Sequence, residues 1–306
     1  MNAELQAWQA MGRMLPWRGF EIFMIDSAWQ DASATQKPVL VLIHGYPTSS
    51  WDYSPLWGKL SKTFRLVTAD LLGMGFSSKP VPHHYTIAEQ ADLIEAVMQH
   101  AAIGDCHILA HDYGDTVAQE LLARDLTCAQ SRYLSVTLLN GGLFPETHRA
   151  RLIQKLMASP LGPLLARITT QKKLLNSFSA VFGAQTQPDA QLCESVWQLV
   201  NFNDGVHALP PLLNYIRERR QFRQRWVGAL SNARMPLALI NGSSDPVSGA
   251  HMVARFREVI GSQHFIRELP GIGHYPQVEA AQLVLAAFEE FINPLISSGP
   301  SVVQHY

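Results

Sequence analysis

The sequence predicts an α/β protein built around a mostly parallel sheet. Apolar, β-branched segments alternate with helical patterns through the first half of the chain. The predicted strands are residues 19–26, 38–45, 64–73, 106–112 and 133–142. The predicted helices between them are residues 86–100 and 115–125. Because a crossover helix joins strands that run in the same direction, this alternation favours a parallel arrangement.

The alternation stops after residue 142 and resumes near residue 234. Residues 143–233 show helical patterns and several prolines but no convincing strand. Strand and helix patterns then return at residues 235–246, 250–260, 263–271 and 278–296. We therefore expect segments 1–142 and 234–306 to form one α/β core, with 143–233 inserted as a helical cap, or lid. Pockets form where such an insertion covers the carboxyl ends of strands.

Two local patterns predict helix details. Thr86 begins the helix at 86–100 as its N-cap, and Glu89 follows three residues later, which is the spacing of a capping box. The N-terminal residues MNAELQAWQAMGRMLPW predict a short amphipathic helix that packs on the protein body. They lack the basic start and apolar run of a signal peptide.

Composition excludes several classes of protein. The 306 residues include 24 Lys and Arg against 25 Asp and Glu, so no overall field attracts nucleic acid or anionic lipid. No apolar run is long enough to span a bilayer. Three cysteines without CxxC spacing indicate reduced thiols and a cytoplasmic protein; they are Cys106, Cys128 and Cys193. A cluster of arginines is interpreted as a solvated helix face; it comprises Arg217, Arg219, Arg220, Arg223 and Arg225.

The stretch ILAHDYGD at 108–115 carries the first candidate catalytic residue. A buried strand runs into Asp112 and turns at once into a helix, with Ala110 and Gly114 as small neighbours. This is the pattern of a nucleophile elbow, which reads small residue, any residue, nucleophile, any residue, glycine. In such an elbow a strained turn lifts the middle side chain off the sheet. The pattern therefore indicates Asp112 as a nucleophile.

Partners for Asp112 occur in the order that this elbow requires, which is nucleophile, acid, then histidine. Asp245 follows a later predicted strand, and His274 follows the final one in a glycine-rich loop. Upstream, His-Gly-Tyr-Pro at 44–47 ends another strand. The backbone N–H groups of Tyr46 and Tyr113 are therefore predicted to form an oxyanion hole.

Each of these residues alone also has an ordinary structural interpretation. An Asp at a strand-to-helix turn is usually a helix cap, and Asp245 followed by proline is a common turn starter. His111, beside the predicted nucleophile, is interpreted as a structural histidine. The catalytic interpretation gains its weight from the order of the features and from their shared position at strand ends.

These motifs resemble the α/β-hydrolases of the epoxide hydrolase and haloalkane dehalogenase branch, which use an Asp nucleophile. Within that branch they resemble the mesoderm-specific transcript proteins and their bacterial relatives. The similar segments are HGYPTSSWDY, GMGFSSKPVPHHYTIAEQA, HDYGDTVAQELL, NGGLFPETHR, RQFRQRWVGAL and HYPQVE. The resemblance implies the α/β-hydrolase fold and assigns Asp112, Asp245 and His274 as nucleophile, acid and base.

A carboxylate nucleophile sets the expected chemistry. Asp112 is expected to attack an sp³ carbon and form an alkyl ester, and His274 then activates a water that attacks the carboxyl carbon. Attack on an ordinary ester would give an anhydride, so epoxides, alkyl halides and β-lactones fit better. The expected partners are a small, apolar to moderately polar electrophile and water. Oligomeric state is left at monomer or homodimer.

The leaving group is predicted less directly. Related epoxide hydrolases use two lid tyrosines as proton donors, and residues 143–233 contain Tyr215, which is either such a donor or a packing residue. Dehalogenases use indole N–H groups, for which Trp197 and Trp226 are candidates. The alternative acid position after strand 133–142 holds Asn140 rather than Glu. We expect epoxide hydrolysis, with haloalkane or haloacid dehalogenation as the alternative.

No cofactor or metal is implied. Gly73 and Gly75 lack the third glycine and the helix of a dinucleotide loop. The adjacent His83 and His84 are interpreted as a solvated loop rather than as metal ligands. A different class of function stays open, in which the chain is a non-catalytic binding module on a hydrolase fold.

Overall fold

The computed structural model describes residues 1–297, so residues 298–306 of the predicted core segment 234–306 lie outside the described residues. Within this range eight strands form one sheet in the order β1-β2-β4-β3-β5-β6-β7-β8. The strands are β1 (Arg13–Trp17), β2 (Phe20–Asp26), β3 (Val39–Ile43), β4 (Arg65–Ala69), β5 (Cys106–His111), β6 (Tyr133–Leu139), β7 (Leu237–Gly242) and β8 (Phe265–Leu269). Strands β3 to β8 pair in parallel, whereas β1 and β2 are antiparallel. The predicted mostly parallel sheet is confirmed.

Strand β1 corrects the N-terminal prediction. The predicted amphipathic helix ends at Met11, and Arg13–Trp17 pairs antiparallel with β2 at the sheet edge. Pro16 lies in this strand, where an edge position tolerates its missing N–H. The helix itself packs on the body as predicted, since Leu5 and Trp8 are buried and the Trp8 Nε1 donates to Ser50 Oγ.

The described helices connect the strands and cover both faces of the sheet. They are α1 (Ala3–Met11), α2 (Ser54–Leu60), α3 (Ile87–His100), α4 (Tyr113–Asp125), α5 (Leu152–Met157), α6 (Gly162–Arg167), α7 (Gln171–Ser179), α8 (Ala190–Asn201), α9 (Leu209–Leu212), α10 (Tyr215–Gln221), α11 (Arg223–Ser231), α12 (Ala250–Val259), α13 (Pro276–Glu279) and α14 (Ala281–Ser297). Short 3₁₀ segments lie at Ser27–Trp29, Ala32–Gln36, Ser50–Tyr53 and Phe202–Ala208. No described strand lies within 143–233, and α5 to α11 fill that segment.

Alternating side chains of the strands build two cores. In β3, Val41 and Ile43 belong to the core that also contains side chains of α3, α4 and α12, while Leu40 and Leu42 belong to the core that contains side chains of α2 and α14. This is the period of two that a strand buried on both faces requires. Apolar residues of α5 to α11 join the first core, so the helical segment 143–233 is continuous with it.

The predicted capping box at α3 is only half formed. Thr86 Oγ1 accepts the N–H of Glu89 at 3.1 Å, as a cap should. The Glu89 carboxylate instead accepts the Nε2–H of His83 at 2.9 Å, so His83 is a paired residue rather than a solvated one. Helix α4 begins at Tyr113, two residues before its predicted start.

Candidate active site

Asp112 stands at the turn between β5 and α4. Its backbone has φ 47° and ψ −102°, a strained conformation for a residue with a side chain. Gly114 makes the turn possible, because a Cβ there would clash with the carbonyl oxygen of Ile43. Although Asp112 occupies the N-cap position of α4, its side chain forms no capping hydrogen bond. The carboxylate is therefore free of the ordinary structural role of an Asp at this position.

The structure brings the three predicted polar residues together at the carboxyl ends of β5, β7 and β8. His274 Nδ1 donates to Asp245 Oδ2 at 2.7 Å, and His274 Nε2 lies 3.8 Å from Asp112 Oδ2. All three side chains are buried. His274 thus presents one ring nitrogen to a fixed carboxylate and the other to the predicted nucleophile, the arrangement that orients a histidine base.

Asp245 is held by three further donors. Its Oδ1 accepts the N–H of Val247 at 2.7 Å, and its Oδ2 accepts Ser248 Oγ at 2.8 Å and Asn140 Nδ2 at 3.0 Å. Asn140 therefore occupies the alternative acid position as a donor to the acid. These bonds compensate for burial and fix the carboxylate against the imidazole.

Charge in the site is mutually stabilised. Burial raises the pKa of Asp112, but the hydrogen bond and charge of His274, followed by the charge of Arg219, outweigh it and hold that pKa well below its usual range. Burial lowers the pKa of His274, but the charges and hydrogen bonds of Asp245 and Asp112 raise it well above its usual range. The imidazole and the two carboxylates therefore favour one another's charged forms.

The predicted oxyanion donors adjoin the carboxylate. The Tyr46 N–H donates to Asp112 Oδ2 at 3.3 Å. Tyr113 is the first residue of α4, so its N–H belongs to the unpaired donors of a helix start. Beneath the turn, His111 Nε2 donates to the carbonyl of His274 at 2.7 Å, and burial lowers the pKa of His111 to about 4. The structural interpretation of His111 agrees with this neutral, hydrogen-bonded ring.

Arg219 corrects the interpretation of the arginine cluster as a solvated face. Its side chain is 2% exposed. Nε donates to Thr116 Oγ1 at 2.8 Å, Nη2 donates to the carbonyl of Asp112 at 3.1 Å, and Nη2 lies 3.6 Å from Asp112 Oδ1. Arg219 Nη1 also meets His148 Nδ1 at 3.4 Å, and burial lowers the pKa of His148 to about 3. The guanidinium therefore supports the strained turn and the charge of Asp112 from behind.

The sequence did not single out Arg219 or His148 as site residues. Charge pattern alone gives every arginine in a run the same weight. The tyrosine one turn before Arg219 was the available signal, because the Arg219 Cζ lies 4.5 Å from the Tyr215 ring centre. A cation covered by an aromatic face is shielded from solvent.

A cavity of about 510 Å³ opens above Asp112. Asp112, His274, Tyr46 and Tyr275 form its polar end. Its apolar walls come mainly from segment 143–233 and include Met157, Leu165, Leu174, Phe178, Leu209 and Leu213. The volume and the apolar lining suit a small apolar molecule whose reactive atom meets Asp112.

The three candidate residues of segment 143–233 lie outside the lining of this cavity. Tyr215 is buried behind it, with its ring centre 5.0 Å from that of Tyr113 and 6.2 Å from that of Tyr46. Trp226 Nε1 donates to Glu120 Oε2 at 2.8 Å, so its indole N–H is occupied elsewhere. Trp197 packs against the apolar core. Tyr46, in contrast, lines the cavity, and its hydroxyl donates to the Leu209 carbonyl at 3.4 Å.

Glu279 joins the histidine loop to segment 143–233. Its carboxylate accepts the N–H of Gly183 and the N–H of Gly273, both at 2.8 Å, and Thr186 Oγ1 at 2.5 Å. It also accepts the N–H of Tyr275 at 2.9 Å. The backbone N–H of His274 donates to Val181 O at 2.9 Å.

Neither a metal cluster nor a membrane span was found in the described part of the chain. Within residues 1–297 no three His, Cys, Asp or Glu side chains are grouped to hold an ion. Across the same residues no helix combines the length and the apolar character needed to cross a bilayer.

The chain belongs to the alpha/beta hydrolase fold family, whose sequence pattern matches residues 38–281. It is 38% identical over 301 residues to the human mesoderm-specific transcript homolog protein, covering 96% of this chain and 89% of that protein. It is also 38% identical over 280 residues to the putative hydrolase LipZ of Mycobacterium tuberculosis H37Rv, covering 91% of this chain and 94% of that protein. The resemblance expected from the sequence motifs is confirmed.

Solved structures share the fold at low sequence identity. Haloalkane dehalogenase DbeA from Bradyrhizobium elkani USDA94 aligns with a TM-score of 0.75 and 18% identity, over 94% of this chain and 99% of that chain. A putative lipase from Acinetobacter baumannii AYE aligns with a TM-score of 0.80 and 15% identity, over 97% and 98%. At these identities the likeness concerns the fold.

Proposed function

We propose that this chain is a hydrolase with Asp112 as nucleophile, His274 as base and Asp245 as its acid partner, and that it opens epoxides. One observation carries the proposal. An ionised carboxylate caps no helix, faces an apolar cavity from a strained turn and lies beside a histidine that a second carboxylate orients. We also propose that segment 143–233 acts as the cap, because it supplies most of the apolar walls.

In the first step an Asp112 carboxylate oxygen attacks an epoxide carbon. A C–O ester bond forms, and the ring C–O bond breaks to leave an alkoxide. The nucleophile needs no base, since its pKa lies well below neutrality. Apolar walls keep competing water away from the carbon and favour an apolar to moderately polar substrate.

The alkoxide needs a proton, and we assign the donor to the phenol of Tyr46 in place of Tyr215. Tyr46 lines the cavity, and the hydrogen bond from its hydroxyl to Leu209 O is long at 3.4 Å and easily exchanged. Burial raises the pKa of Tyr46, so the phenol stays protonated until a stronger base forms. An aliphatic alkoxide is such a base.

Esterification then changes the state of His274. It removes the Asp112 charge that helps to raise the pKa of His274. The imidazolium proton passes to the Tyr46 phenolate, and His274 becomes the neutral base that the second step requires.

In the second step His274 Nε2 takes a proton from water, and the hydroxide oxygen adds to the carboxyl carbon of Asp112. The oxyanion rests on the N–H groups of Tyr46 and Tyr113. Collapse breaks the ester C–O bond, and the leaving alkoxide takes a proton from His274. The carboxylic acid formed at Asp112 returns its proton to His274, which restores the resting imidazolium and releases a diol.

The choice of epoxide over halide rests on the donors in the cavity. A leaving halide needs N–H groups that point at it, and no tryptophan is among the described residues of the lining. Trp226 already donates to Glu120. Two phenols, Tyr46 and Tyr275, lie there instead. The name of the relative LipZ, putative hydrolase, supports the hydrolase class alone.

Covalent trapping tests this function. His274→Gln protein is incubated with a panel of epoxides, haloalkanes and haloacids, and the peptide that contains Asp112 is analysed by mass spectrometry. Because the variant lacks the base for the second step, we expect an alkyl ester on Asp112 from epoxides. Asp112→Asn serves as the control that forms no adduct.

Product analysis with wild-type protein separates the alternatives. We expect diol, with oxygen from labelled water entering the Asp112 carboxylate in a single turnover. Free halide in place of diol would assign the chain as a haloalkane or haloacid dehalogenase. Absence of adduct and product across the whole panel would favour a non-catalytic binding module.

A further inference from the structure

Segment 147–188 has a strongly one-sided charge. It contains no Asp or Glu, and its six Lys and Arg residues are Arg149, Arg151, Lys155, Arg167, Lys172 and Lys173. Within residues 1–297 the ion pairs of the protein do not include any of these six. The chain as a whole is nearly neutral, so this segment is a local basic region.

The same segment exposes apolar side chains. Of the twelve large hydrophobic residues that are exposed in the described chain, six fall within seventeen residues. They are Leu152 (72%), Ile153 (41%), Leu156 (40%), Leu161 (58%), Leu164 (58%) and Ile168 (53%). Single exposed apolar residues are normal, but a concentration of this kind marks an interaction site.

Helical spacing places these side chains on one surface. On α5, residues 152, 153 and 156 share a face, while Met157 is buried. Around α6, residues 161, 164 and 168 follow the i, i+3, i+7 pattern, while Ala166 is buried. We call residues 152–173 with these exposed side chains the α5–α6 face.

The α5–α6 face borders the mouth of the catalytic cavity. Ile153, Ile168 and Lys173 line that cavity. Lys155 and Arg167 line an adjoining surface groove, and Met157 lines both. Apolar side chains, basic side chains and the cavity entrance thus meet at one place.

We propose that the α5–α6 face docks on the surface of an anionic lipid bilayer, with the mouth of the cavity turned toward the lipid. Exposed apolar residues on short helices enter the headgroup region, and flanking Lys and Arg bind anionic headgroups. An apolar substrate dissolved in the bilayer then reaches the cavity without crossing water. Docking on the bilayer does not depend on the proposed chemistry. Delivery of substrate from the bilayer to the cavity rests on the proposed function.

Charge distinguishes lipid from a second copy of this chain. A symmetric dimer through the α5–α6 face would bring the same basic residues against each other, with no carboxylate side chain in segment 147–188 to pair with them. Anionic headgroups are complementary to this face, and another copy is not.

Vesicle co-sedimentation of the full chain tests the docking. Vesicles of phosphatidylcholine alone are compared with vesicles that contain phosphatidylcholine and phosphatidylglycerol in equal amounts. We expect binding to the mixed vesicles that weakens as salt is raised. The Asp112→Asn variant is expected to bind equally well, which keeps this result separate from the proposed chemistry.

Two variants locate the surface. One carries Leu152→Ser, Leu161→Ser and Leu164→Ser, and the other carries Lys155→Gln, Arg167→Gln and Lys172→Gln. None of these six residues lines the catalytic cavity. Each variant is expected to lose at least about tenfold in vesicle affinity.

Matched controls alter the same residue types elsewhere on the surface. They are Leu126→Ser with Leu134→Ser and Leu283→Ser, and Arg13→Gln with Lys59→Gln and Lys62→Gln. Affinity that is unchanged in the controls and lost in both variants supports the proposal. Absence of vesicle binding, or equal losses in variants and controls, overturns it. A wild-type dimer that the leucine variant converts to monomer, by light scattering, also overturns it and assigns the face to a second copy.

Discussion

Arg219 Nη2 lies 3.1 Å from the carbonyl oxygen of Asp112 and 3.6 Å from its carboxylate Oδ1. One guanidinium on α10 therefore touches both the strained backbone and the charged side chain of the predicted nucleophile. A buried cation in this position stabilises the turn and the ionised carboxylate together.

Arg219→Gln removes that charge. We expect a loss of about 3–5 kcal/mol in the free energy of unfolding, because a buried carboxylate loses its partner. The pKa of Asp112 rises, so the acid limb of the pH–rate profile for ester formation shifts to higher pH. Denaturant unfolding and single-turnover kinetics measure the two effects. A variant with lowered stability and an unmoved acid limb would show that Arg219 supports the fold alone.

Asn140→Gly tests the support of Asp245. Asn140 has φ 46°, so glycine keeps the backbone conformation while the donor to Asp245 Oδ2 is removed. We expect a loss of about 1–3 kcal/mol in stability. Hydrolysis of the ester on Asp112 should slow while its formation changes little, because His274 as base depends on Asp245. Burst-phase kinetics resolve the two steps, and equal slowing of both would contradict this role.

Stability should depend on the pH through His274. Its folded pKa is raised, so its contribution is complete below the unfolded pKa of about 6.5 and is lost as pH rises toward the folded pKa. In that window the stability difference between wild type and His274→Gln should shrink by up to about 1.4 kcal/mol per pH unit. Asp112 and Asp245 have lowered pKa values, and their contributions are lost instead as pH falls below about 3.9. Denaturant midpoints across pH measure both trends, and a difference that stays constant above neutrality would contradict the first.

Gly114→Ala should strongly destabilise the folded protein. A Cβ at residue 114 clashes with the carbonyls of Ile43 and His44, so we expect a loss of about 2 kcal/mol or more. Gly58→Ala is the matched helical control, because nothing lies within 4 Å of a Cβ there. It should stabilise the protein by about 0.5–1 kcal/mol. Thermal unfolding of the two variants gives the comparison, and similar melting temperatures would argue against tight packing at the turn.

Tyr46→Phe separates the two leaving groups. Loss of the phenol should slow epoxide opening about a hundredfold or more, the usual contribution of a general acid, and should leave any haloalkane reaction unchanged. Tyr215→Phe is the control, since that ring lies outside the cavity lining. Steady-state rates of both variants on epoxides and on haloalkanes measure these effects. A larger effect at Tyr215 than at Tyr46 would restore the proton donor expected from the sequence.

The positions of three polar residues after predicted strands, and the order of those strands, were enough to predict that the three side chains lie close together. Asp112, Asp245 and His274 lie in the segments that follow β5, β7 and β8, and a parallel sheet gathers such positions at one edge. The role of Thr86 as a helix cap was predictable because a cap depends only on residues a few positions apart in the sequence.

Contacts between distant elements could not be predicted in this way. The interpretation of Arg219 as a surface residue was wrong because a run of arginines does not reveal which one turns inward. Trp226 was a candidate halide donor, and only the fold shows that its partner is Glu120, 106 residues away. Residues 13–17 form a strand through pairing with β2, and five residues with an internal proline carry little signal alone.

The Glu279 carboxylate has a mechanical consequence. It fastens Gly183 and Thr186 to the loop that carries His274, so a hinge motion at that end would pull the imidazole away from Asp245. We therefore expect the cavity to open near α5 and α6, where a motion leaves the hydrogen bond between His274 and Asp245 in place. The contacts of Glu279 would then keep His274 aligned on one side, while molecules enter and leave on the other.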